Sequence, residues 1–248
     1  MPENPLLPNN RLKELLELMQ RCRALDLRGP KRPVRESLLA ATAIHLLPGD
    51  LLIGDASDAT ARALAPSPRE NELASGKLVV LPEENVSLPK VSRLTLCAAM
   101  AQGLQAAGTG GIVLALAGTT SPETGWAAAL EYAQRARLPL LLAVADSTAG
   151  RVGKIPSTLS LPAIAKVAKK LKLPVLPVDG EDAVAVYRVM QECTLRARLG
   201  EGPAVIWGIL TPPGKGQLSP AAQPIARMKS YLAVRGLLPK KPARRPLR

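Results

Sequence analysis

The sequence predicts an α/β protein in which a doubly wound, mostly parallel β-sheet carries helices on both faces. Short, continuous apolar segments of the kind that form buried parallel strands occur at 111–117, 139–145, 174–178 and 203–207. Amphipathic helical segments alternate with these strands. Hydrophobic residues make up 47% of the 248 residues and charged residues 21%, which is enough apolar material for a sizeable core.

The elements follow one another in a regular order. Two helices, at 11–25 and 34–46, come first, and the second ends before Pro48-Gly49-Asp50. Further helices are predicted at 92–107, 122–137, 161–171 and 181–199, before and between the strands. The glycines at 108–111 precede a strand and therefore predict a turn. We expect an N-terminal helical segment (1–64), an irregular connection (65–91), an α/β core (92–238) and a basic tail (239–248).

Charge and composition exclude several classes of protein. No apolar run approaches the roughly 20 residues that a membrane helix needs, and the N-terminus has no secretory pattern. The three cysteines lie far apart, which argues against disulfides and a zinc site. We therefore expect a cytoplasmic protein without membrane contact. The net charge of +13 includes five basic residues in the tail, which is either a solvated extension or a weak contact for polyanions.

The residues alone do not compose a catalytic site. His45 lies in an apolar helix, where a packed, hydrogen-bonded histidine is expected. The glycines at 208–216 lack the spacing and the hydroxyl of a phosphate-binding loop. Carboxylates follow the strand at 174–178, where they are expected to cap the next helix: Asp179, Glu181 and Asp182.

A series of short motifs resembles one enzyme family. The segment PVDGED at 177–182 is followed by AVY at 185–187 and RARLGEGP at 196–203. In order and separation these resemble motifs of the alpha subunit of thiamine-diphosphate-dependent 2-oxo acid dehydrogenases, the first component of the pyruvate and branched-chain complexes. The segments ESLLAATAIHLLPGD at 36–50 and 223–232 are similar to two further helices of that family. The resemblance implies the thiamine-diphosphate-binding, transketolase-like fold.

The resemblance also implies where a cofactor site would lie. The family holds the diphosphate through Mg²⁺, using an aspartate after one strand and a pair of asparagines after the next. Here Gly118 stands at the aspartate position, with Thr119 beside it, and Asp146 and Ser147 replace the asparagines. Glu123 matches an acidic residue that follows the first turn. These are degenerate cofactor-binding positions, and the family's histidine-bearing loops are shortened or replaced.

Three functions remain open at this stage. The first is a non-catalytic structural or regulatory subunit without cofactor, which associates with a beta-like dehydrogenase subunit or with itself. The second is a working alpha subunit with substituted ligands, which uses thiamine diphosphate and Mg²⁺ to decarboxylate a 2-oxo acid oxidatively. The third is a polyanion-binding module that uses the basic tail.

Overall fold

A five-stranded parallel sheet organises the protein. The computed structural model describes residues 7–26, 34–54, 64, 93–119, 125–148, 159–212 and 223–238. Every pairing between neighbouring strands is parallel, and the spatial order is β1-β2-β3-β5-β4. The strands are β1 (Leu51–Ile53), β2 (Val113–Gly118), β3 (Leu140–Asp146), β4 (Val175–Asp179) and β5 (Ala204–Ile209).

Helices cover both faces of this sheet. The described helices are α1 (Asn9–Asp26), α2 (Glu36–Ala43), α3 (Arg93–Ala106), α4 (Trp126–Arg135), α5 (Leu161–Leu171), α6 (Ala183–Arg198) and α7 (Pro224–Val234). Because side chains alternate between the faces of a strand, the sheet supplies two separate apolar cores. One core packs against α1, α2, α6 and α7, and the other against α3, α4 and α5.

This architecture confirms the predicted fold class. The four predicted strands and the alternating helices are present, with boundaries that differ by a few residues. Strand β1 was not predicted, and it pairs with β2 from Leu51↔Val113 to Ile53↔Ala115. The second helix is shorter than the predicted 34–46, because the chain turns at Ile44 and His45. Residues 65–91 and the tail at 239–248 lie outside the described residues.

A buried carboxylate fixes the amino edge of the sheet. The side chain of Asp50, which is 0% exposed, accepts hydrogen bonds from the backbone N–H groups of Leu47 (2.6 Å) and Ile112 (2.9 Å). It also accepts two from the guanidinium of Arg198, at 2.9 and 2.5 Å. The turn before β1, the start of β2 and the end of α6 are thereby joined at one point.

No helix among the described residues is both long and apolar enough to cross a membrane.

Candidate functional site

The structure places four of the predicted site residues side by side at the carboxyl edge of the sheet. Gly118, at the end of β2, pairs with Ala145 in β3, and the N–H of Thr119 donates to the Ala145 carbonyl at 3.3 Å. Asp146 and Ser147 follow directly. Ligands of parallel sheets bind at this edge, so the resemblance and the fold point to the same place. Glu123 lies outside the described residues.

The carboxylate of Asp146 is held by four hydrogen bonds from the protein itself. Its Oδ2 accepts from the indole Nε1 of Trp207 in β5, at 2.8 Å. Its Oδ1 accepts from the N–H (2.9 Å) and hydroxyl (2.6 Å) of Thr148, and from the hydroxyl of Thr119 at 3.4 Å. Asp146 is 7% exposed. Both oxygens therefore already accept hydrogen bonds from donors inside the protein.

Among the described residues, this arrangement does not supply the ligand set of a magnesium–diphosphate complex. Mg²⁺ needs near-octahedral oxygen ligands, usually including one or two carboxylates. Gly118 has no side-chain oxygen, and the Thr119 hydroxyl is directed to Asp146. In the parts of the chain that the structure describes, no group of three or more His, Cys, Asp and Glu residues is placed to hold a metal ion. Releasing Asp146 to bind a metal would leave the buried Trp207 N–H without an acceptor.

The carboxylates that follow β4 have three different roles. Asp182 caps α6, as predicted, and its Oδ1 accepts from the N–H groups of Val184 (3.0 Å) and Ala185 (3.1 Å). The prediction is wrong for Glu181, which is buried and accepts from the N–H of Thr211 at 2.7 Å. Glu181 thus connects the start of α6 to the segment after β5.

Asp179 is the third of these carboxylates, and it takes part in a charged group beside a cavity. The guanidinium of Arg227 in α7 lies 3.2 Å from Asp179 and 3.3 Å from Asp182. A cavity of about 260 Å³ separates the first turns of α6 and α7, and it is lined by Glu181, Asp182, Ala183, Val184, Pro224, Arg227, Met228 and Tyr231. The sequence did not predict it, since nothing in the chain signals that α7 packs beside α6.

Glu36 is a second polar group that sequence reasoning missed. It is 1% exposed, and neither carboxyl oxygen accepts a hydrogen bond from the described residues. The guanidinium of Arg23 lies 3.4 Å away and donates instead to the side chain of Gln223, at 2.7 Å. Burial, with the nearby charges of Asp26 and Glu181, raises the pKa of Glu36. The one available signal was a glutamate at the start of a largely apolar helix.

His45 is a packed, hydrogen-bonded residue, as predicted. Its Nε2 donates to the Tyr187 carbonyl at 3.1 Å, and the two rings lie 4.3 Å apart. Burial lowers the pKa of His45 to about 4, so the ring is neutral at pH 7. It lies away from the strand ends that carry the candidate site.

Comparison with known proteins identifies one family. The model of the dehydrogenase E1 component matches residues 73–208, which is more than half of the chain. No curated protein matches. A solved structure assigned as a thiamin diphosphate-dependent enzyme from Mycobacterium smegmatis has 14% identity and a TM-score of 0.49, and the match covers 71% of this chain and 31% of that one. Benzoylformate decarboxylase from Polynucleobacter necessarius has 13% identity and a TM-score of 0.45, with 85% and 34% covered. The chain spans about a third of the length of either structure.

Proposed function

Because the chain belongs to the dehydrogenase E1 component family, we propose that it is an alpha-like subunit that no longer performs the thiamine-diphosphate chemistry of that family. In this proposal it acts as a structural or regulatory subunit that associates with a beta-like dehydrogenase subunit. The family places its cofactor between an alpha and a beta chain, and the cofactor carries out the decarboxylation while the protein positions it. An alpha-like chain can therefore lose the ability to hold the cofactor and still keep the surface that contacts the beta chain.

One observation supports the loss of chemistry above the others, namely the state of Asp146. It is the only carboxylate among the four described site residues, and its oxygens already accept hydrogen bonds from Trp207, Thr148 and Thr119. Gly118 supplies no oxygen ligand in place of the expected aspartate. A diphosphate carries several negative charges, and without a bound metal its desolvation at this edge would be strongly unfavourable.

The first test is the response of the protein to its family's cofactor. A ligand at 100 times its Kd stabilises the native state by about 2.7 kcal/mol. For a chain of this length that corresponds to a rise in Tm of roughly 5–10 °C. We expect thiamine diphosphate with MgCl₂ to change the Tm by less than about 1 °C, both for the chain alone and for its complex with a beta-like subunit. A working E1 enzyme, assayed in parallel, is the positive control.

Native mass spectrometry of the chain purified with its partner distinguishes the functions directly. A complex with a beta-like subunit and no thiamine diphosphate agrees with the proposal. A complex that retains thiamine diphosphate contradicts it and favours a working subunit with unusual ligands.

A double variant tests whether the ligand positions alone explain the loss. Gly118→Asp with Ser147→Asn restores the side chains that the family resemblance implies, while Asp146 remains bonded to Trp207. We expect no turnover of a 2-oxo acid by this variant with the beta-like subunit, thiamine diphosphate and Mg²⁺. Substantial turnover would show that the scaffold is still competent and that only two ligands are missing.

A further inference from the structure

The two helical layers of the protein differ sharply in charge. One layer consists of α3, α4 and α5, and we count it together with β2 and β3, which lie between these helices in the chain. The described residues of this range (93–175) include seven basic and two acidic residues. The described residues outside that range contain eleven basic and ten acidic residues. Most of the net positive charge of the described residues therefore belongs to one face.

Among the described residues of the positive layer, the two acidic residues between them pair with one of its exposed cations, Arg135. Asp146 is buried and bonded to Trp207 and its neighbours. Glu131 forms an ion pair with Arg135 at 2.6 Å. Five exposed basic side chains of this layer form no ion pair with an acidic residue among those described: Arg137, Lys166, Lys169, Lys170 and Lys172. We refer to these five residues as the basic surface.

Helix α5 supplies the centre of the basic surface. Its apolar side buries Ile164 and Ala168 against the sheet. Lys166, Lys169 and Lys170 lie on the solvent side at the i, i+3, i+4 spacing that makes neighbours on a helix. The side-chain amide of Gln134 donates to the Lys172 carbonyl at 3.4 Å, so the ends of α4 and α5 are joined.

The remaining two residues of the basic surface occupy strained backbone positions. Arg137 (φ 50°) and Lys172 (φ 53°) are the non-glycine residues with positive φ in the described part of the chain. Each lies just after the C-terminus of a helix, and the N–H of the residue that follows it donates back to a carbonyl of the last helical turn. These hydrogen bonds run from Leu138 to Ala133 (2.9 Å) and from Leu173 to Ala168 (3.1 Å). Glycine is the residue that best suits this conformation. The chain has long cationic side chains at both positions instead.

We propose that the basic surface binds the phosphate backbone of double-stranded nucleic acid without reading its base sequence. Lysine ammonium groups neutralise phosphates as point charges and release counterions. A protein partner fits this surface less well, because the other exposed residues of α5 are Pro162 and Ala165 and lysine is depleted from protein interfaces. Single-stranded nucleic acid is also a poorer fit, because its binding needs several aromatic side chains for base stacking. Among the described residues of this layer, Tyr132 is the one large aromatic that is exposed.

The test measures binding of the full chain to a fluorescein-labelled duplex of about 20 base pairs by anisotropy, across a range of salt concentrations. We expect the variant K166Q/K169Q/K170Q to bind the duplex at least about tenfold more weakly. The slope of log K against log salt concentration should be smaller in magnitude by about 2–3. The variant K13Q/R21Q/K229Q removes the same charge from exposed positions of the other layer. We expect this control to bind within about twofold of the wild type.

A second variant separates binding from stability. R137G/K172G removes two cations and relieves two strained positions, so we expect weaker binding together with an unchanged or higher Tm. A lower Tm would mean that these cations serve the helix C-termini instead, which would contradict their part in the proposal.

Several outcomes would overturn the basic surface as a nucleic-acid site. They are wild-type affinity in the lysine variant, an equal loss in the control variant, and complete loss of binding on deletion of 239–248 alone. Competition by poly-glutamate or by anionic lipid vesicles as effective as competition by unlabelled duplex of equal charge would also overturn it. Effective competition by poly-glutamate would identify an acidic protein as the partner, and effective competition by the vesicles would identify a lipid surface.

Discussion

Replacing Asp50 with asparagine should destabilise the protein more than any substitution of an exposed charge. Its carboxylate is fully buried and accepts four hydrogen bonds, two of them from Arg198. Asparagine is nearly the same size but carries no charge, and its NH₂ group would face donors. Changing one partner of a buried ion pair costs about 3–5 kcal/mol. Because Arg198 is 22% exposed and water reaches it, we expect the lower value, about 3 kcal/mol.

Thermal unfolding followed by circular dichroism measures this loss. About 3 kcal/mol corresponds to a decrease in Tm of roughly 6–12 °C for a chain of this length. The matched control is Arg196→Gln on the same helix, because Arg196 pairs with Glu201 at 2.8 Å while both side chains are nearly half exposed. Exposed pairs of this kind contribute little, so the control should change stability by less than about 0.5 kcal/mol.

A double-mutant cycle tests the physical reasoning. If the cost of Asp50→Asn comes from leaving the Arg198 guanidinium unpaired, then Asp50→Asn with Arg198→Met should cost clearly less than the sum of the single variants. Additive costs would refute the ion pair as the cause. A Tm decrease below about 2 °C for Asp50→Asn would refute the claim that this carboxylate joins the amino edge of the sheet.

Three further predictions follow from other buried groups. Trp207→Phe removes the indole donor to Asp146 and should destabilise the protein by about 1–3 kcal/mol in urea unfolding, whereas a neutral result would mean that water or another donor replaces it. Since the pKa of His45 is lowered to about 4, the unfolded state binds the extra proton, and stability should decrease as pH falls from about 6.5 to about 4. His45→Gln should flatten this decrease, and an unchanged profile would rule out His45 as its source. Burial raises the pKa of the Cys22 and Cys97 thiols to about 12, so neither should react with Ellman's reagent at pH 8 until the protein is denatured, and rapid labelling of the native protein would contradict their burial.

The main strands of the sheet were predictable because their signal is local. Five to seven consecutive apolar residues bounded by glycine or proline leave few other structures for a segment such as 139–145. Strand β1 carries too short a signal, since Leu51–Ile53 is three residues long and acquires its hydrogen bonds only by pairing with β2. The different roles of Glu181 and Asp182 were also invisible, because both residues follow the same strand and the segment containing Thr211 is distant in the chain.

The position of the candidate site was predictable from the sequence, but the hydrogen bonds made by its aspartate were not. Gly118 and Asp146 end successive parallel strands, which commonly lie next to each other, and the structure places them so. The hydrogen bond from Trp207 depends on the strand order, in which β5 lies between β3 and β4. Periodicity and composition do not determine that order. A reader of the sequence therefore sees Asp146 as an available oxygen ligand, whereas the fold gives it a partner 61 residues away.

The one-sided charge follows from the same strand order together with the handedness of the connections. The chain moves across the sheet in one direction from β1 through β2 and β3 to β4, and then returns to β5. Right-handed crossovers place the helices of the outward moves, α3, α4 and α5, on one face and the helix of the return, α6, on the other. The lysines of α5 consequently share a face with two helices that contain few acidic residues, while the acid-bearing segment around α6 lies opposite. Among the described residues, the excess of basic over acidic residues thereby falls mainly on one surface, because connection handedness sorts the helices by face.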